Sequence, residues 1–440
     1  MSMQLSARQA ALETLERLRR DKAWSGAGLD SAITKYGLDR RDAALTSQLC
    51  LGVLENDKLL DFYIGAFCKG KLEPKVRDIL RLGAYQLVFL DRIPARAAVS
   101  ESVTLCRDNG YFRAAGLVNA VLRRIASEAG GLPEVQGKGS AEYLSVRYSH
   151  PLWLCEYLTE RKGYAFTEAF LAANNRPSAL TIQVNTLKVS AADYCRALDR
   201  AGISYTASDS PEGSVTLPGG SAVELPGFED GLFYVQDRAA RMSVLASEPQ
   251  PGMKVLDACA SPGGKSFAAA IAMKNSGSIL ACDIHEKKLN LIRTGAARLG
   301  TDIISERAMD ARAYDASLDS RFDIVIADVP CSGLGVIGKK PEIRAKDADE
   351  IAGLPAVQRA IIDNLSRYVR PGGLLMYSTC TVLNEENEAV VGAFLSSHGD
   401  FAAESFAVGG AAAESGMRCF WPNTDGTDGF FTAKLRRKGP

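Results

Sequence analysis

The chain has 440 residues, with 52 Lys plus Arg balanced by 52 Asp plus Glu, so its formal net charge is zero. This balance excludes a uniformly basic nucleic-acid-binding protein, and any such surface must be a local patch. No apolar run reaches the ~18 residues that a membrane-spanning helix needs, so no membrane partner is expected. The length predicts two or three domains at the usual ~100–200 residues each.

The ten cysteines form no CxxC pair and only three histidines occur, which argues against both a zinc site and a disulfide framework. The N-terminal stretch MSMQLSARQAALETLERLRR predicts an amphipathic helix of mixed charge and lacks the apolar segment of a signal peptide. We therefore expect a reduced, cytoplasmic protein without a metal. A monomer is the default, because the sequence contains no coiled-coil heptads.

Residues 1–127 are predicted to be all-helical. Apolar residues recur at helical spacing, as in Leu12, Leu15 and Leu18. Pro94 opens one predicted helix and Gly110 ends it. No catalytic pattern occurs here, so we predict a helical packing domain. A group of arginines forms either a basic face or an ordinary solvated surface, and both interpretations stay open: Arg81, Arg92, Arg96, Arg113, Arg123 and Arg124.

The glycine-rich polar stretch 128–141, EAGGLPEVQGKGSA, is predicted to be a linker. Residues 142–231 combine short helices with a strand at Thr181–Val184 and indicate a small α+β subdomain. Residues 232–440 alternate strands with helices. This pattern predicts a mostly parallel sheet with helices on both faces.

The segment 254–266, KVLDACASPGGKS, predicts a ligand-binding loop between a strand and a helix. A short apolar strand ends at Asp257, a tight turn follows at Pro262–Gly264, and a helix begins at Lys265. Glycine lets the backbone approach a ligand, and a helix N-terminus presents free N–H groups. Neither G-x-G-x-x-G nor GxxxxGK[ST] is present, which disfavours dinucleotides and nucleoside triphosphates. The alternative is a plain strand-to-helix turn.

Further acids follow the next strands: Asp283, Asp310 and Asp328. Ligands of wound α/β folds lie at the carboxyl ends of the strands, where acids bind ribose hydroxyls. Any single one of these aspartates could instead be a helix N-cap. Together they indicate S-adenosylmethionine, which carries a positive sulfonium and no phosphate. In this interpretation Asp257 faces the methionine end, Asp283 the ribose and Asp310 the adenine.

Two cysteines end consecutive predicted strands, Cys331 in DVPCSG and Cys380 in YSTCT. Parallel neighbouring strands would bring these loops together. A buried cysteine is often a small apolar residue, but a cysteine on such a loop at the ligand edge of a sheet favours a chemical role.

A cysteine pair of this kind suits methylation at carbon 5 of a pyrimidine. A thiolate adds to carbon 6 and makes carbon 5 nucleophilic, and a second group assists release of the product. Asp328 would stabilise the adduct near ring nitrogen 3. The base must be unstacked or single-stranded. The thiol needs a nearby positive charge, for which the candidates are Lys265, Lys339, Lys340 and Arg344.

Several blocks resemble the RsmB/NOP family of RNA cytosine-5 methyltransferases. DACASPGGK is similar to the family's cofactor loop, with Ser261 in place of an alanine. ADVPCSGLGVIGKKPEIR and LLMYSTCTVLNEENEAVV are similar to its two cysteine blocks, with Thr381 in place of a serine. The helical front resembles a NusB-like RNA-binding domain. The resemblance implies an all-α NusB-like N-terminal domain, followed by an α/β Rossmann-like methyltransferase domain with a small α+β subdomain.

The resemblance also implies roles for individual residues. Cys380 would be the nucleophile, Cys331 would help product release, and Asp328 would contact the base. The cofactor site would be lined by Cys259, Ala260, Ser261, Pro262, Gly263, Gly264, Lys265, Asp283, Asp310 and Asp328.

The implied product is 5-methylcytosine in small-subunit (16S) ribosomal RNA. The second cysteine block argues against the DNA cytosine-5 methyltransferases, so RNA rather than DNA is the expected partner. Transfer RNA is an alternative substrate within the family. A non-catalytic RNA-binding factor and a small-molecule methyltransferase are alternatives outside it.

Overall fold

The computed structural model describes residues 7–21, 25–128 and 130–439. The chain forms two compact units. Unit 1 comprises Met1–Arg176 together with Ile337–Ala348, and unit 2 comprises Pro177–Val336 together with Asp349–Pro440. The chain thus leaves unit 2 shortly after Cys331 and returns to it twelve residues later. Within the described ranges, no helix combines the length and the apolar character needed to cross a lipid bilayer.

Unit 1 is helical throughout its described elements. Their bounds are α1 (Ala7–Asp21), α2 (Ser25–Tyr36), α3 (Arg40–Glu55), α4 (Asp57–Phe67), α5 (Pro74–Phe89), α6 (Ala95–Asp108), α7 (Ala115–Ser127), α8 (Ala141–Tyr148), α9 (Leu152–Lys162) and α10 (Tyr164–Asn174). The predicted linker 128–141 connects α7 to α8, and both of these helices lie in unit 1. The start of the predicted N-terminal helix, residues 1–6, lies outside the described residues.

Apolar periodicity and capping explain these helices. The predicted stripe of Leu12, Leu15 and Leu18 is buried in one hydrophobic core with residues of α3 to α7. α3 begins where the Asp39 side chain accepts a hydrogen bond from the Asp42 N–H at 2.8 Å, which satisfies a donor that the first turn leaves open. The all-helical prediction for this region is therefore confirmed.

The arginines of this region have different environments. Arg81 is half-buried and ion-paired with Asp61, Nη2 to Oδ2 at 2.7 Å, and also with Asp78. It therefore belongs to a structural ion-pair cluster. The side chains of the other arginines in the group are exposed: Arg92, Arg96, Arg113, Arg123 and Arg124.

Unit 2 begins with a small antiparallel sheet in the order β2-β3-β1-β4. Its elements are β1 (Leu180–Val184), α11 (Ala191–Arg200), β2 (Thr206–Asp209), β3 (Glu212–Leu217) and β4 (Phe233–Val235). Ile182, Val215 and Phe233 from three of the strands pack with Leu198 of α11 in a separate core.

A larger mixed sheet follows, in the order β10-β14-β9-β8-β5-β6-β7, with β13 paired to β14. The elements are α12 (Arg238–Leu245), β5 (Lys254–Asp257), α13 (Gly264–Ala272), β6 (Ser278–Asp283), α14 (Glu286–Leu299), β7 (Ile304–Ala308), β8 (Phe322–Asp328), α15 (Ala348–Ile351), α16 (Leu354–Ser366), β9 (Val369–Thr379), α17 (Glu388–Ser397), β10 (Phe401–Ala403), β11 (Phe406–Val408), β12 (Ala411–Ala413), β13 (Met417–Phe420) and β14 (Phe430–Arg437). β11 and β12 form a separate two-stranded ribbon.

The strands β5 to β9 are mutually parallel, whereas β14 runs antiparallel to β9 and is followed by β10 at that edge of the sheet. Alternate residues of the central strands enter two different cores. Leu256 belongs to one core, and its neighbour Val255 belongs to the other. Because successive side chains of a strand point to opposite faces, this pattern confirms the predicted sheet with helices on both faces.

The strand order reverses at β5, since β6 and β7 lie on one side of it and β8 and β9 on the other. Ligands of such sheets bind at the carboxyl ends of the strands next to this reversal. Asp257 and Asp328 end the two strands that meet there, so both lie at the ligand-binding edge.

Candidate active site

The turn between β5 and α13 is fixed by its own backbone. The Gly263 N–H donates to the Ala260 carbonyl at 2.7 Å, and the Ala260 N–H donates to the Cys282 carbonyl of β6 at 2.7 Å. Gly263 has φ +113°, and a Cβ there would lie 2.5 Å from the Phe267 ring. Glycine is therefore required both for the backbone conformation and for space.

Asp257 is fully buried at the end of β5. One carboxylate oxygen, Oδ2, accepts from the Ser266 hydroxyl at 2.7 Å. The other, Oδ1, is buried and accepts no hydrogen bond from the described residues. Burial raises the pKa of Asp257 to about 6, against the lowering effect of the Ser266 hydroxyl. An unpartnered buried acceptor at the ligand edge fits a positively charged or hydrogen-bond-donating cofactor.

The predicted acids divide into two kinds. Burial and then the carboxylates of Asp257, Asp328 and Asp283 raise the pKa of the Cys259 thiol, so these three acids surround the loop. Asp310, in contrast, accepts from the Arg312 guanidinium at 2.7 Å, and this bond lowers its pKa. The acids near Cys259 fit the ribose and the cationic end of S-adenosylmethionine, and the role of Asp310 at the adenine stays a prediction.

Lys265 and Asp328 connect the cofactor loop to the strand ends. The Lys265 Nζ donates to Asp328 Oδ2 at 2.6 Å, and the Ser378 hydroxyl donates to Asp328 Oδ1 at 2.7 Å. Burial disfavours the Lys265 ammonium. The Asp328 carboxylate outweighs this effect, with smaller contributions from Asp257 and Cys380, so the pKa of Lys265 is raised. Lys265 is therefore a permanent cation within electrostatic range of a thiol.

Cys331 and Cys380 lie at the ends of the paired parallel strands β8 and β9, with their Sγ atoms 3.3 Å apart. The hydrogen bond to Cys380, followed by burial and the Glu386 and Asp328 carboxylates, raises the pKa of Cys331 well above that of an ordinary thiol. Cys331 therefore keeps its proton at neutral pH. A thiol that keeps its proton beside a second thiol near a lysine can serve as donor to a nucleophile.

Two buried side chains near the cysteine loops were not among the predicted site residues. Glu386 Oε2 accepts from the Ser332 N–H at 2.9 Å and from Gln358 Nε2 at 2.8 Å. Asn387 holds the loop that carries Cys380, since its Nδ2 donates to the Thr381 carbonyl at 3.1 Å. The acidic and amide residues of NEENEAVV, which begins four residues after Cys380, carried a usable signal, whereas Gln358 lies on α16 and had none.

The candidate cations differ in where they lie. Lys265 lies at the cysteine pair in unit 2. Arg344 belongs to unit 1, where its guanidinium donates to the carbonyls of Glu55 at 2.5 Å and Tyr148 at 3.0 Å and to Asn175 Oδ1 at 2.7 Å. Lys339 and Lys340 also belong to unit 1 and are exposed.

All ten cysteines lie in the described ranges, and none forms a disulfide bond. In the same ranges, no cluster of His, Cys, Asp and Glu has the arrangement of a metal site. The thiol pair is therefore a dithiol beside a carboxylate and a lysine.

Family models match three consecutive parts of the chain. The NusB family model matches residues 5–127, and the ferredoxin-like domain of RsmF/B-like methyltransferases matches residues 150–224. The model described as 16S rRNA methyltransferase RsmB/F matches residues 244–436, which include every predicted site residue. The small antiparallel sheet of unit 2 thus falls largely within the ferredoxin-like match.

Individual proteins match along nearly the whole chain. A probable ribosomal RNA small subunit methyltransferase B of Bacillus subtilis is 34% identical and covers 99% of this chain and 99% of its own length. Ribosomal RNA small subunit methyltransferase B of Erwinia tasmaniensis is 34% identical over 90% of each chain. The crystal structure of the protein PH0851 covers 99% of this chain and 100% of its own, with 25% identity and a TM-score of 0.81.

Proposed function

Because the chain belongs to the RsmB/F family of 16S ribosomal RNA methyltransferases, we propose that it methylates carbon 5 of a cytosine in small-subunit ribosomal RNA through a covalent adduct with Cys380. S-adenosylmethionine is the methyl donor of this family and supplies, when bound, the electrophilic methyl group that carbon 5 takes. The observation that carries the proposal is the thiol pair, whose Sγ atoms are 3.3 Å apart at the ends of neighbouring strands.

The residues that would hold the cofactor lie along the β5–α13 loop. The N-terminus of α13, just after the turn at Gly263, offers backbone N–H groups, and Asp283 at the end of β6 offers a carboxylate for ribose hydroxyls. The unpartnered Oδ1 of Asp257 offers a further acceptor. Ser261 keeps a small side chain where the family has alanine, which is compatible with the same loop.

Cys380 is the proposed nucleophile. A nearby cation favours the thiolate form of a cysteine, and Lys265 lies within electrostatic range of Cys380. The thiolate adds to carbon 6 of the cytosine, and the electron pair of the 5,6 double bond then becomes available at carbon 5. Asp328 lies beside the two cysteines and would hydrogen-bond the base at the edge that includes nitrogen 3.

Cys331 is the proposed release residue. After methylation, carbon 5 gives its proton to solvent water and the electron pair of that carbon–hydrogen bond restores the 5,6 double bond. The bond between Cys380 and carbon 6 breaks, with its electron pair returning to sulfur. A neighbouring protonated thiol stabilises the departing thiolate by donating a hydrogen bond to it. The raised pKa of Cys331 keeps its proton in place for this step.

The exposed arginines of the helical unit and the NusB match support an RNA partner. Basic side chains on one domain supply the sequence-independent part of RNA affinity through the phosphates. We propose unit 1 as the RNA-binding unit, as part of the same function.

The reaction is tested by incubating the purified protein with methyl-labelled S-adenosylmethionine and total RNA from cells that lack it, followed by nucleoside analysis. We expect label in 5-methylcytosine of small-subunit ribosomal RNA. Label confined to transfer RNA would show that small-subunit ribosomal RNA is not the substrate, and label in a nucleoside other than 5-methylcytosine would refute methylation at carbon 5 of cytosine.

The two thiols are tested separately. Cys380→Ala is expected to abolish both methyl transfer and the RNA adduct. Cys331→Ala is expected to form the adduct and accumulate it, which a denaturing gel detects as protein of increased mass. Cys195→Ala is a matched control, because this half-buried cysteine lies on α11 and packs against the separate core of the small antiparallel sheet. Full methyl transfer by Cys380→Ala would show that the roles are assigned wrongly.

A further inference from the structure

Glu386 binds the loop that carries Cys331 on both sides of that cysteine. Its Oε2 accepts from the Ser332 N–H at 2.9 Å and from Gln358 Nε2 at 2.8 Å. The same Gln358 Nε2 donates to the Pro330 carbonyl at 3.0 Å. Pro330 and Ser332 flank Cys331. One carboxylate oxygen therefore holds the peptide groups before and after this cysteine, directly or through one amide.

The adjacent residue, Asn387, binds the loop that carries Cys380. Its Oδ1 accepts from the Thr379 hydroxyl at 2.6 Å, and its Nδ2 donates to the Thr381 carbonyl at 3.1 Å. Thr379 and Thr381 flank Cys380. Two consecutive residues of the chain thus bind one cysteine loop each, and the hydroxyls of Ser332 and Thr381, 2.6 Å apart, join the two loops.

Glu386 is itself held rigidly. It is 1% exposed, and its backbone carbonyl accepts from the buried Tyr377 hydroxyl at 2.6 Å. Hydrogen bonds to a buried carboxylate are short and strong. If one member of a buried network is removed, the groups that lose their partner destabilise the fold. Removal of the Glu386 side chain would therefore loosen the Cys331 loop more than the Cys380 loop.

We propose that Glu386 is a positioning residue for Cys331, and hence for product release, whereas Asn387 positions Cys380 for adduct formation. The inference rests on the proposed function, because it assumes a covalent adduct that Cys331 helps to resolve. It adds a division of labour between two neighbouring side chains, one for each half of the reaction.

The test compares Glu386→Ala with Asn387→Ala in single-turnover reactions with RNA and S-adenosylmethionine. The rate of adduct formation and the amount of adduct that persists are measured on denaturing gels. Glu386→Ala is expected to form the adduct at close to the normal rate but to retain it about tenfold or more longer, since a displacement of ~1 Å of a reacting group costs up to ~10²-fold. Asn387→Ala is expected to slow adduct formation without accumulation.

Two further variants separate positioning from general damage. Glu386→Gln keeps an acceptor oxygen for both N–H donors, so it is expected to restore most of the release that Glu386→Ala loses. Gln358→Leu removes the bonds to Pro330 and to Glu386 but leaves the bond from Ser332 to Glu386, so an intermediate amount of accumulated adduct is expected. Gln358→Leu also carries the test if Glu386→Ala does not fold.

Different outcomes would refute the inference and the proposed function. If Cys331→Ala does not accumulate adduct, the release role in the proposed function is wrong. If Cys331→Ala accumulates adduct whereas Glu386→Ala and Gln358→Leu do not, the positioning inference alone is wrong. Equal slowing of adduct formation by Glu386→Ala and Asn387→Ala would also overturn it, because the division between the two loops would then be absent.

Discussion

Gly335 lies where the Cys331 segment packs against the end of β9, and an added methyl group there has no room. The Gly335 N–H donates to the Cys380 carbonyl at 2.9 Å, and the Gly429 N–H donates to the Gly335 carbonyl at 2.8 Å. A Cβ on Gly335 would lie 1.9 Å from the Gly429 carbonyl oxygen and 2.9 Å from the Cys380 carbonyl oxygen. Both obstacles are backbone atoms, so no side-chain rotation relieves them.

Gly335→Ala must therefore displace the backbone beside Cys380. Real Cβ atoms stay at least 3.0 Å from such atoms, so the required shift is at least 1.1 Å, the difference from 1.9 Å. Two backbone hydrogen bonds at ~1 kcal/mol each and overpacking of ~1–3 kcal/mol give a loss of about 3–5 kcal/mol in the free energy of unfolding. A displacement of this size is expected to slow adduct formation by up to ~10²-fold.

The assays are urea unfolding and single-turnover adduct formation with RNA. Gly392→Ala is the matched control, because Gly392 is exposed on α17 and no described atom lies within 4 Å of the position that its new methyl group would take. This control is expected to stabilise the protein by up to ~1 kcal/mol through helix propensity and to leave adduct formation unchanged. A Gly335→Ala protein with normal stability and a normal adduct rate would refute the packing argument.

Two further predictions concern buried polar groups. The pKa of Asp257 is raised from 3.8 to about 6, so between these pH values the folded state binds more protons than the unfolded state. The free energy of unfolding of the wild type therefore falls by about 3 kcal/mol as pH rises from 3.8 through about 6. Asp257→Asn should remove that slope in urea unfolding without cofactor between pH 4 and 7, and an unchanged slope would contradict the assignment. Arg344→Met removes a buried guanidinium that satisfies the carbonyls of Glu55 and Tyr148. Each carbonyl left unsatisfied destabilises the folded state by ~1–3 kcal/mol, so amide hydrogen exchange should become faster in α3 and α8 and not in β8. Unchanged protection of α3 would contradict this structural role of Arg344.

The site residues differ in how far the sequence could identify them. The strand-turn-helix pattern around Asp257 and Gly263 and the two cysteine motifs depend on local chemistry, because a positive φ, a strand end and a reactive side chain leave signals in neighbouring residues. Gln358 shows the limit of this reasoning. It holds the Pro330 carbonyl and Glu386 from a separate helix, and no local pattern distinguishes it from an ordinary helical glutamine.

The sequence by itself determined the helical first region, the wound α/β region and the loops that carry Cys331 and Cys380. Periodicity, turn residues and motif spacing act over a few residues, so they are readable along the chain. The tertiary structure decided the rest: the 3.3 Å approach of the two thiols, the Lys265–Asp328 pair and the return of Ile337–Ala348 to unit 1. These features depend on strand order and on packing between segments far apart in sequence, and such long-range pairings leave no local signal from which they could be predicted.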